Sequence, residues 1–390
     1  MKVVFVSNYF NHHQKPFCEE MYKRLGNDFV FISTTVMREE RRKLGYAQGE
    51  IPTYVYLAYE GENQYKAAIS FINEADVVIA GAAPNDILRE RILANKLIFR
   101  YSERPYKKVS SWLKKIYHFI CWRQMNLWKN NIYMLCSSAY TALDYASVGM
   151  YKRKSYKWGY FPADIKYNVD ELLSQKRTNL LLWCGRFIDW KHPDDAIQIA
   201  RRLKNDGYDF RLNMIGTGEM EDELKRYVKE ENLSDVVHFC GSMSPQQVRM
   251  NMEEAGIYLF TSDRQEGWGA VLNESMNSGC TVIASHAIGS VPYLLKDEVN
   301  GMVYESGNID MLYEKVKYVI EHTEEQYRLG KEAYRTIIIE WNATVATQRL
   351  LKLAEGIINE KNDDVLYQNG PCSKAAIIKD GWYKERITKK

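Results

Sequence analysis

The sequence predicts an α/β protein made of two Rossmann-like domains, each built on a parallel β-sheet. Near-continuous apolar segments typical of buried parallel strands alternate with amphipathic helical stretches along the chain. The length of 390 residues favours two domains of ordinary size over one. Strand periodicity lapses over residues 158–177, which indicates a boundary between the two domains.

The elements divide into five predicted strands in the first half of the chain and six in the second. The first five read "KVVFVS", "DFVFIS", "DVVIAG", "KLIFRYS" and "IYMLCSS", and the next six "LLLWCGRF", "FRLNMIGTG", "VVHFCGS", "IYLFTS", "TVIAS" and "GMVYE". We predict an N-terminal domain over residues 1–160, a linker over 161–178 and a C-terminal domain over 179–340. A C-terminal helix and tail over 341–390 remains, and packing back onto the N-terminal domain is one option for it.

The composition is that of a soluble globular protein, with 46% apolar and 26% charged residues. Seven scattered cysteines, without a CxxC pair, favour a reducing compartment and argue against a zinc site. The first strand is too short for a signal peptide, and no apolar run reaches the ~18 residues of a membrane span. We therefore expect a cytoplasmic protein.

Two glutamates lie where an apolar strand turns into a helix, in "DRQEGWGAVLNESMNSGCTVIAS". Glu266 falls in the turn and Glu274 in the second turn of the helix. The backbone amides of residues 267–270 form a helix N-terminus, which attracts phosphate, and glycine permits a close approach of a ligand. Carboxylates beside a phosphate site suit hydrogen bonds from sugar hydroxyls. A plain strand-to-helix turn with a capping acid is the alternative.

Two further loops follow strands in the second half. Arg186 and Lys191 are two cations five residues apart, a pair that suits a diphosphate or, alternatively, two solvated surface charges. Gly216 and Gly218 break a strand into a helix and allow another close approach to the backbone, although an ordinary turn uses the same residues.

These loops together resemble one known family. The stretches "GRFIDWKHPDDAI", "MIGTGE", "FCGSMSPQQV" and "EGWGAVLNESMNSGCTVIAS" occur in the order and at the spacing of glycosyltransferase family 4, whose E-x7-E motif the two glutamates resemble. The likeness covers about residues 180–305 closely and the first half only in outline. It implies the GT-B fold, in which two Rossmann-like domains face a central cleft.

The resemblance implies a role for each matching position. Arg186 and Lys191 match the pair that binds the donor diphosphate, Glu274 the ribose ligand and Glu266 the acid beside the donor sugar. The backbone at Gly267, Trp268, Gly269 and Ala270 matches the cradle of phosphate and sugar, and Gly216 and Gly218 match the turn near the nucleotide. Glu266, Arg186 and Lys191 are therefore our candidates for catalysis.

The reaction implied is transfer of a sugar from a UDP- or GDP-sugar, with retention of the anomeric configuration, to a saccharide or lipid-linked acceptor of cell-surface polysaccharide or glycolipid synthesis. We expect no cofactor and no metal, because no Asp-x-Asp follows a strand and the two cations can stabilise the leaving diphosphate. Two alternatives stay open: a nucleotide-sugar epimerase, and a non-catalytic nucleotide-sugar-binding partner of another transferase.

The first half departs from the family. No glycine precedes Gly26 after the first strand, and no histidine follows the strand "LIFRYSERPYKK", where many relatives have one. Glu103 lies at that place and is a candidate catalytic residue, with a surface ion pair as the alternative. His12, His13 and Gln14 follow the first strand and are candidates for the acceptor site or an exposed loop.

A basic segment over residues 104–129 interleaves Lys and Arg with tryptophan, and from Arg104 to Ala163 eleven cations face one acid, Asp144. Such a helix is typical of one that lies on an anionic membrane. We predict peripheral attachment to the inner face of the plasma membrane through this segment, and no binding of nucleic acid. A solvated face around aromatic packing is the alternative.

Overall fold

The protein is represented by a computed structural model that describes residues 1–39, 50–108, 111–126, 129–359 and 366–387. Two compact units share the chain. Unit 1 contains Met1–Ala163 and Asn342–Lys379, and unit 2 contains Asp164–Trp341 and the residues from Asp380 onward. Each unit is built around its own sheet.

Unit 1 holds a seven-stranded sheet in the order β3-β2-β1-β4-β5-β6-β7. Its strands are β1 (Val3–Ser7), β2 (Phe29–Ser33), β3 (Val55–Leu57), β4 (Val77–Ala80), β5 (Ile98–Ser102), β6 (Ile132–Cys136) and β7 (Ser155–Lys157). All six ladders are parallel. The order reverses between β1 and β4, so the carboxyl ends of these strands form the switch point at which doubly wound sheets bind ligands.

The helices of unit 1 that precede unit 2 lie between these strands. They are α1 (Lys15–Leu25), α2 (Glu62–Glu74), α3 (Arg89–Leu93), α4 (Trp112–Met125) and α5 (Thr141–Ala146). A core of buried aliphatic side chains, among them Val78 and Ile98 of the central strands, packs on one face of the sheet.

Unit 2 holds a six-stranded sheet in the order β10-β9-β8-β11-β12-β13. Its strands are β8 (Arg177–Cys184), β9 (Arg211–Ile215), β10 (Val237–Gly241), β11 (Ala255–Phe260), β12 (Thr281–Ser285) and β13 (Met302–Tyr304). All five ladders are parallel. The switch point lies between β8 and β11, so the loops that follow these two strands meet there.

The helices of unit 2 before residue 342 are α6 (Val169–Ser174), α7 (Pro193–Asn205), α8 (Glu221–Glu230), α9 (Pro245–Glu254), α10 (Val271–Asn277), α11 (Val291–Leu294), α12 (Ile309–Glu321) and α13 (Thr323–Ile339). Helix α7 shows why such segments form. Pro193 occupies its first turn with Asp194 and Asp195, whose charges suit a helix N-terminus, and it buries Ile197 and Leu203 against the sheet.

The C-terminal residues divide between the two units. Helix α14 (Ala343–Asn359) packs against α1 of unit 1, and Lys374 forms an antiparallel bridge with Tyr156 of β7. Helix α15 (Trp382–Ile387) belongs to unit 2, where Tyr383 stacks on His286 and donates a hydrogen bond to the carbonyl of Val303.

The predicted fold class of two Rossmann-like domains with parallel sheets is confirmed. All eleven predicted strands are present, and the sequence analysis missed β3 and β7, which form the two edges of the first sheet. Each has three residues, which is too short for an apolar alternation to be visible.

Candidate nucleotide-sugar site

The loop between β11 and α10 carries the first predicted glutamate. Gly269 ends this loop at φ +84°, and a Cβ atom there would lie 2.4 Å from Cζ of Phe260. Only glycine fits this position without displacing the aromatic ring. The loop therefore keeps a tight path from the end of β11 into α10, with Glu266 in the turn and Glu274 in the helix.

Lys191 and Glu266 form an ion pair across the switch point of unit 2. The Lys191 Nζ lies 2.5 Å from Oε2 of Glu266, and both side chains are only 13% exposed. Ser262 donates to the same carboxylate oxygen, and the Thr261 hydroxyl donates to the Lys191 carbonyl at 2.7 Å. The structure thus brings together a residue predicted to bind diphosphate and one predicted to bind the donor sugar, although they lie 75 positions apart.

Arg186 lies on the loop after β8 and is exposed. Within the described part of the chain its guanidinium makes no ion pair, which leaves its donors available for a ligand. The loop itself is fixed by the loop after β9, because the Gly185 and Phe187 amides donate to the carbonyls of Ile215 and Thr217 at 3.0 Å.

The two glycines of the "GTG" turn serve this contact between loops. A Cβ atom on Gly216 would lie 1.8 Å from the Gly185 carbonyl oxygen, and one on Gly218 would lie 2.3 Å from that of Phe187. The backbone that carries Arg186 therefore approaches both glycines closely. The predicted approach of a nucleotide to this turn stays a prediction.

Glu274 lies in the first turn of α10, not in the second turn as predicted, and its side chain is half-buried. Burial raises the pKa of Glu274, while the nearby Arg249 opposes this shift. Arg249 of α9 donates to the Glu274 carbonyl, to Asn277 Oδ1 and to Ser278 Oγ. The sequence analysis missed Arg249, because nothing in its spacing distinguishes it from a surface cation.

Trp268 is fully buried. Its indole nitrogen donates to Asn273 Oδ1 at 2.9 Å, and its ring contacts those of Tyr293 and Trp341. Its predicted role in donor binding is limited to its backbone, between Gly267 and Gly269. Among the described residues, the amides of Gly267 and Ala270 have no hydrogen-bond acceptor.

His192 follows Lys191 directly and caps α7 in a left-handed conformation, at φ 47°. The interaction with Asp263 raises the pKa of His192, and burial together with Asp194 raises the pKa of Asp195 to about 7. His192, Asp194 and Asp195 form the one group of possible metal ligands among the described residues. Both acids belong to the first turn of α7, where the helix dipole favours carboxylates and disfavours a cation.

Two of the predicted residues of unit 1, Glu103 and His13, both contact Tyr160, which the sequence analysis missed. Tyr160 donates to Oε1 of Glu103 at 2.6 Å, and its ring stacks on that of His13 at 5.6 Å. His13 in turn contacts His12. Gln14 precedes α1 and has a buried amide oxygen without a hydrogen bond. Tyr160 comes shortly after β7, so missing that strand also hid the position of Tyr160 at the edge where β1 and β5 end.

The basic segment forms helix α4, capped by Ser111, with an exposed apolar face. Its exposed apolar residues are Trp112, Leu113, Ile116, Tyr117 and Ile120. Arg104 does not belong to this surface, because it is 2% exposed and pairs with Asp144 in the core. The segment's residues 109–110 and 127–128, including Trp128, lie outside the described residues.

The comparisons with known proteins support this description. Residues 164–336 match the model of the family "Glycosyl transferases group 1". The predicted relation to glycosyltransferase family 4 and to the GT-B fold is confirmed. Among solved structures, Anabaena Alr3699/HepE in complex with UDP has a TM-score of 0.68 and 14% identity, covering 90% of this chain and 99% of that one. This likeness concerns the fold.

Two curated relatives are named as sugar transferases. The amylovoran biosynthesis glycosyltransferase AmsK of Erwinia amylovora is 26% identical over 180 residues, which are 45% of this chain and 44% of AmsK. The "N-acetylgalactosamine-N,N'-diacetylbacillosaminyl-diphospho-undecaprenol 4-alpha-N-acetylgalactosaminyltransferase" of Campylobacter jejuni is 27% identical over 168 residues, 40% of this chain and 44% of that protein. The chain thus spans less than half the length of these relatives.

Proposed function

We propose that the protein is a retaining glycosyltransferase. It transfers a sugar from a UDP- or GDP-sugar to a saccharide or lipid-linked acceptor in cell-surface polysaccharide or glycolipid biosynthesis. The observation that carries this proposal is the Lys191–Glu266 ion pair at the switch point of the second sheet. Arg186 lies on the same loop as Lys191, and Glu274 lies in the helix that follows Glu266. The names of AmsK and of the Campylobacter transferase support the class of product.

The ion pair allows one site to bind both the diphosphate and the sugar of a nucleotide-sugar donor. An ammonium group has three hydrogens, so Lys191 can keep Glu266 and still donate to a phosphate oxygen. The carboxylate keeps lone pairs for sugar hydroxyls and is oriented by Ser262. Arg186 adds a planar, bidentate phosphate ligand.

Cleavage of the donor builds negative charge on the departing diphosphate, and positioned donors lower the barrier by stabilising that charge. In this protein, Arg186 and Lys191 supply them together with the amides of Gly267 and Ala270. We propose that no metal is needed. Glu274 would accept hydrogen bonds from the ribose hydroxyls, which favour its ionised form.

A thermal-shift panel tests the donor site, with UDP, GDP, ADP and their sugars added to wild type and Arg186→Ala in EDTA. A nucleotide at 100 times its Kd should stabilise wild type by ~2.7 kcal/mol. We expect one nucleotide to do so, and Arg186→Ala to lose that shift. If no nucleotide binds, or if binding survives in the variant, the donor site is wrongly assigned.

Product analysis by NMR then tests the reaction. Transfer with the donor's anomeric configuration supports the proposal, whereas inversion contradicts its retaining character. A changed sugar without an acceptor would indicate an epimerase, and binding without turnover would indicate a partner protein. Activity that disappears in EDTA and returns with a divalent cation would contradict metal independence.

We propose that helix α4 attaches the protein to the inner, anionic face of the plasma membrane, and that the protein is cytoplasmic. Trp112, Leu113 and Ile116 are 68%, 62% and 48% exposed on a helix that also carries Lys114, Lys115 and Arg123. Each cation near an anionic surface contributes ~1 kcal/mol. Among the helices of the described residues, none is long and apolar enough to cross a membrane.

Cosedimentation with vesicles tests this attachment. Wild type should bind vesicles that contain phosphatidylglycerol and bind pure phosphatidylcholine weakly, and Trp112→Ser with Ile116→Ser should abolish binding. Leu93→Ser is the matched control, because Leu93 is 54% exposed on α3 of the same unit. Equal binding by the double variant and wild type would rule out this face.

A further inference from the structure

The contacts around Tyr160 place a carboxylate and two aromatic rings at one end of the first sheet. Glu103 follows β5, His13 follows β1 and Tyr160 follows β7. We propose that Tyr160 is a positioning residue that holds the Glu103 carboxylate to bind a hydroxyl group of the saccharide acceptor. This inference rests on the proposed function and extends it to unit 1.

The Glu103 carboxylate is held at both oxygens and yet remains able to accept more hydrogen bonds. Tyr160 donates to Oε1 at 2.6 Å and Lys107 donates to Oε2 at 2.7 Å, while the side chain stays 27% exposed. A carboxylate offers about four lone-pair positions, so both oxygens keep capacity for a further donor. Sugar hydroxyls are such donors.

Tyr160 is the better fixed of the two partners. Burial raises the pKa of Tyr160 well above its usual range, with Tyr101 and Glu103 adding to the shift, so the phenol stays protonated and donates. Its ring is held by the stack on His13 and an edge contact with Tyr101 at 6.1 Å. Lys107 is 44% exposed, and exposed ion pairs of this kind constrain geometry weakly.

The arrangement selects for hydroxyl donors. A site built to accept a hydrogen bond from a substrate hydroxyl rejects an analogue that lacks it, because the protein group is then left unpaired. A saccharide therefore fits this position better than an apolar or acidic ligand. Lys107 does not make the position favourable for an acidic ligand, because its charge is already paired with Glu103.

A double-mutant cycle tests the role of Tyr160. The probes are the methyl glycosides of glucose, galactose and N-acetylglucosamine, with binding to the full chain measured by NMR in the presence of the nucleotide that stabilises it. We expect Glu103→Gln to weaken binding of the preferred glycoside about tenfold, since a hydrogen bond to a charged group is lost. Tyr160→Phe should weaken it several-fold, and the double variant should be no weaker than Glu103→Gln alone.

Tyr65→Phe is the matched control. Tyr65 also donates to a carboxylate of unit 1, Asp86, at 2.6 Å, between α2 and the segment that follows β4. This variant should bind the glycoside as wild type does, and all variants should keep the nucleotide-induced thermal shift, which reports on unit 2.

Three outcomes would overturn the proposal: no glycoside binds wild type, Tyr160→Phe binds like wild type, or the two substitutions act additively. If Tyr160→Phe fails to fold, Glu103→Gln carries the test, because unchanged affinity in that variant excludes Glu103 from the site. Loss of the nucleotide shift in wild type would instead refute the proposed function, so the two failures are distinguishable.

Discussion

Each unit carries a candidate glutamate paired with a lysine, and the two pairs differ in burial. Lys191 and Glu266 of unit 2 are 13% exposed and join two loops, whereas Lys107 and Glu103 of unit 1 are 44% and 27% exposed and lie four residues apart. Exposed pairs contribute little to stability, while breaking a buried pair leaves an uncompensated charge. The first pair can therefore organise its site alone, and the second depends on Tyr160.

The largest expected effect comes from breaking the buried pair. Lys191→Met should lower the transfer rate on the order of 10²–10³-fold, since one donor to the leaving diphosphate is lost. It should also lower the free energy of unfolding by roughly 3 kcal/mol, because Glu266 is left buried and unpaired. Steady-state kinetics and urea unfolding measure the two effects.

Lys107→Met is the matched control for stability, and should cost less than about 1 kcal/mol. The double variant Lys191→Met, Glu266→Gln should recover part of the lost stability but none of the activity. Equal costs for Lys191→Met and Lys107→Met would remove the distinction between the two pairs.

The two pairs also differ in how far the sequence could predict them. Glu266 and Glu274 are predictable because a motif places them after a recognisable strand, and Arg186 and Lys191 follow from the same strand-and-loop logic. That Lys191 contacts Glu266 was not predictable, since it depends on strand order β8-β11 rather than on spacing. Sequence periodicity does not show which strands are neighbours.

On the acceptor side, less could be predicted. Glu103 was found by its place after β5, but Tyr160 follows a three-residue edge strand within a stretch that shows no strand periodicity. Arg104 shows the same limit, because its charge suggested a surface and only the fold reveals Asp144 beside it. Long-range contacts of polar residues carry no local signal.

A second way to test the donor-side loops uses the glycine that supports Arg186. Gly216→Ala would place a Cβ atom 1.8 Å from the Gly185 carbonyl oxygen and must displace that loop. We expect a loss of roughly 2–3 kcal/mol in the free energy of unfolding and weaker nucleotide binding.

Gly207→Ala is the matched control, because Gly207 also has a positive φ of +82° but open space around it. Its cost should stay near 1 kcal/mol, with nucleotide affinity unchanged. If both variants bind nucleotide equally well, the loop after β9 does not position Arg186.

A third prediction concerns Asp195, which lies in the first turn of α7. Its folded-state pKa of about 7 lies above its usual value, so the folded state binds a proton more tightly than the unfolded state. Between about pH 4 and pH 7, wild type should therefore lose stability on the order of 1 kcal/mol per pH unit as the pH rises. Asp195→Asn removes the pH dependence that Asp195 contributes to the free energy of unfolding. The difference in this free energy between wild type and the variant, followed against pH, therefore measures that contribution. A constant difference from pH 4 to pH 7 would contradict the raised pKa.

The smallest effect distinguishes the ribose ligand from the phosphate ligands. Burial raises the pKa of Glu274, and ribose hydroxyls that donate to its carboxylate should lower this pKa again. Nucleotide binding should therefore release protons. The affinity should rise as the pH rises above the usual glutamate pKa. The terminal phosphate of the nucleotide, whose second pKa is about 6, also exchanges protons with the solvent. Glu274→Gln leaves the proton release from the phosphate unchanged and removes the release from the Glu274 carboxyl group. Calorimetry of UDP or GDP binding in two buffers should therefore show less proton release for the variant. Equal release from both proteins would place the ribose away from Glu274.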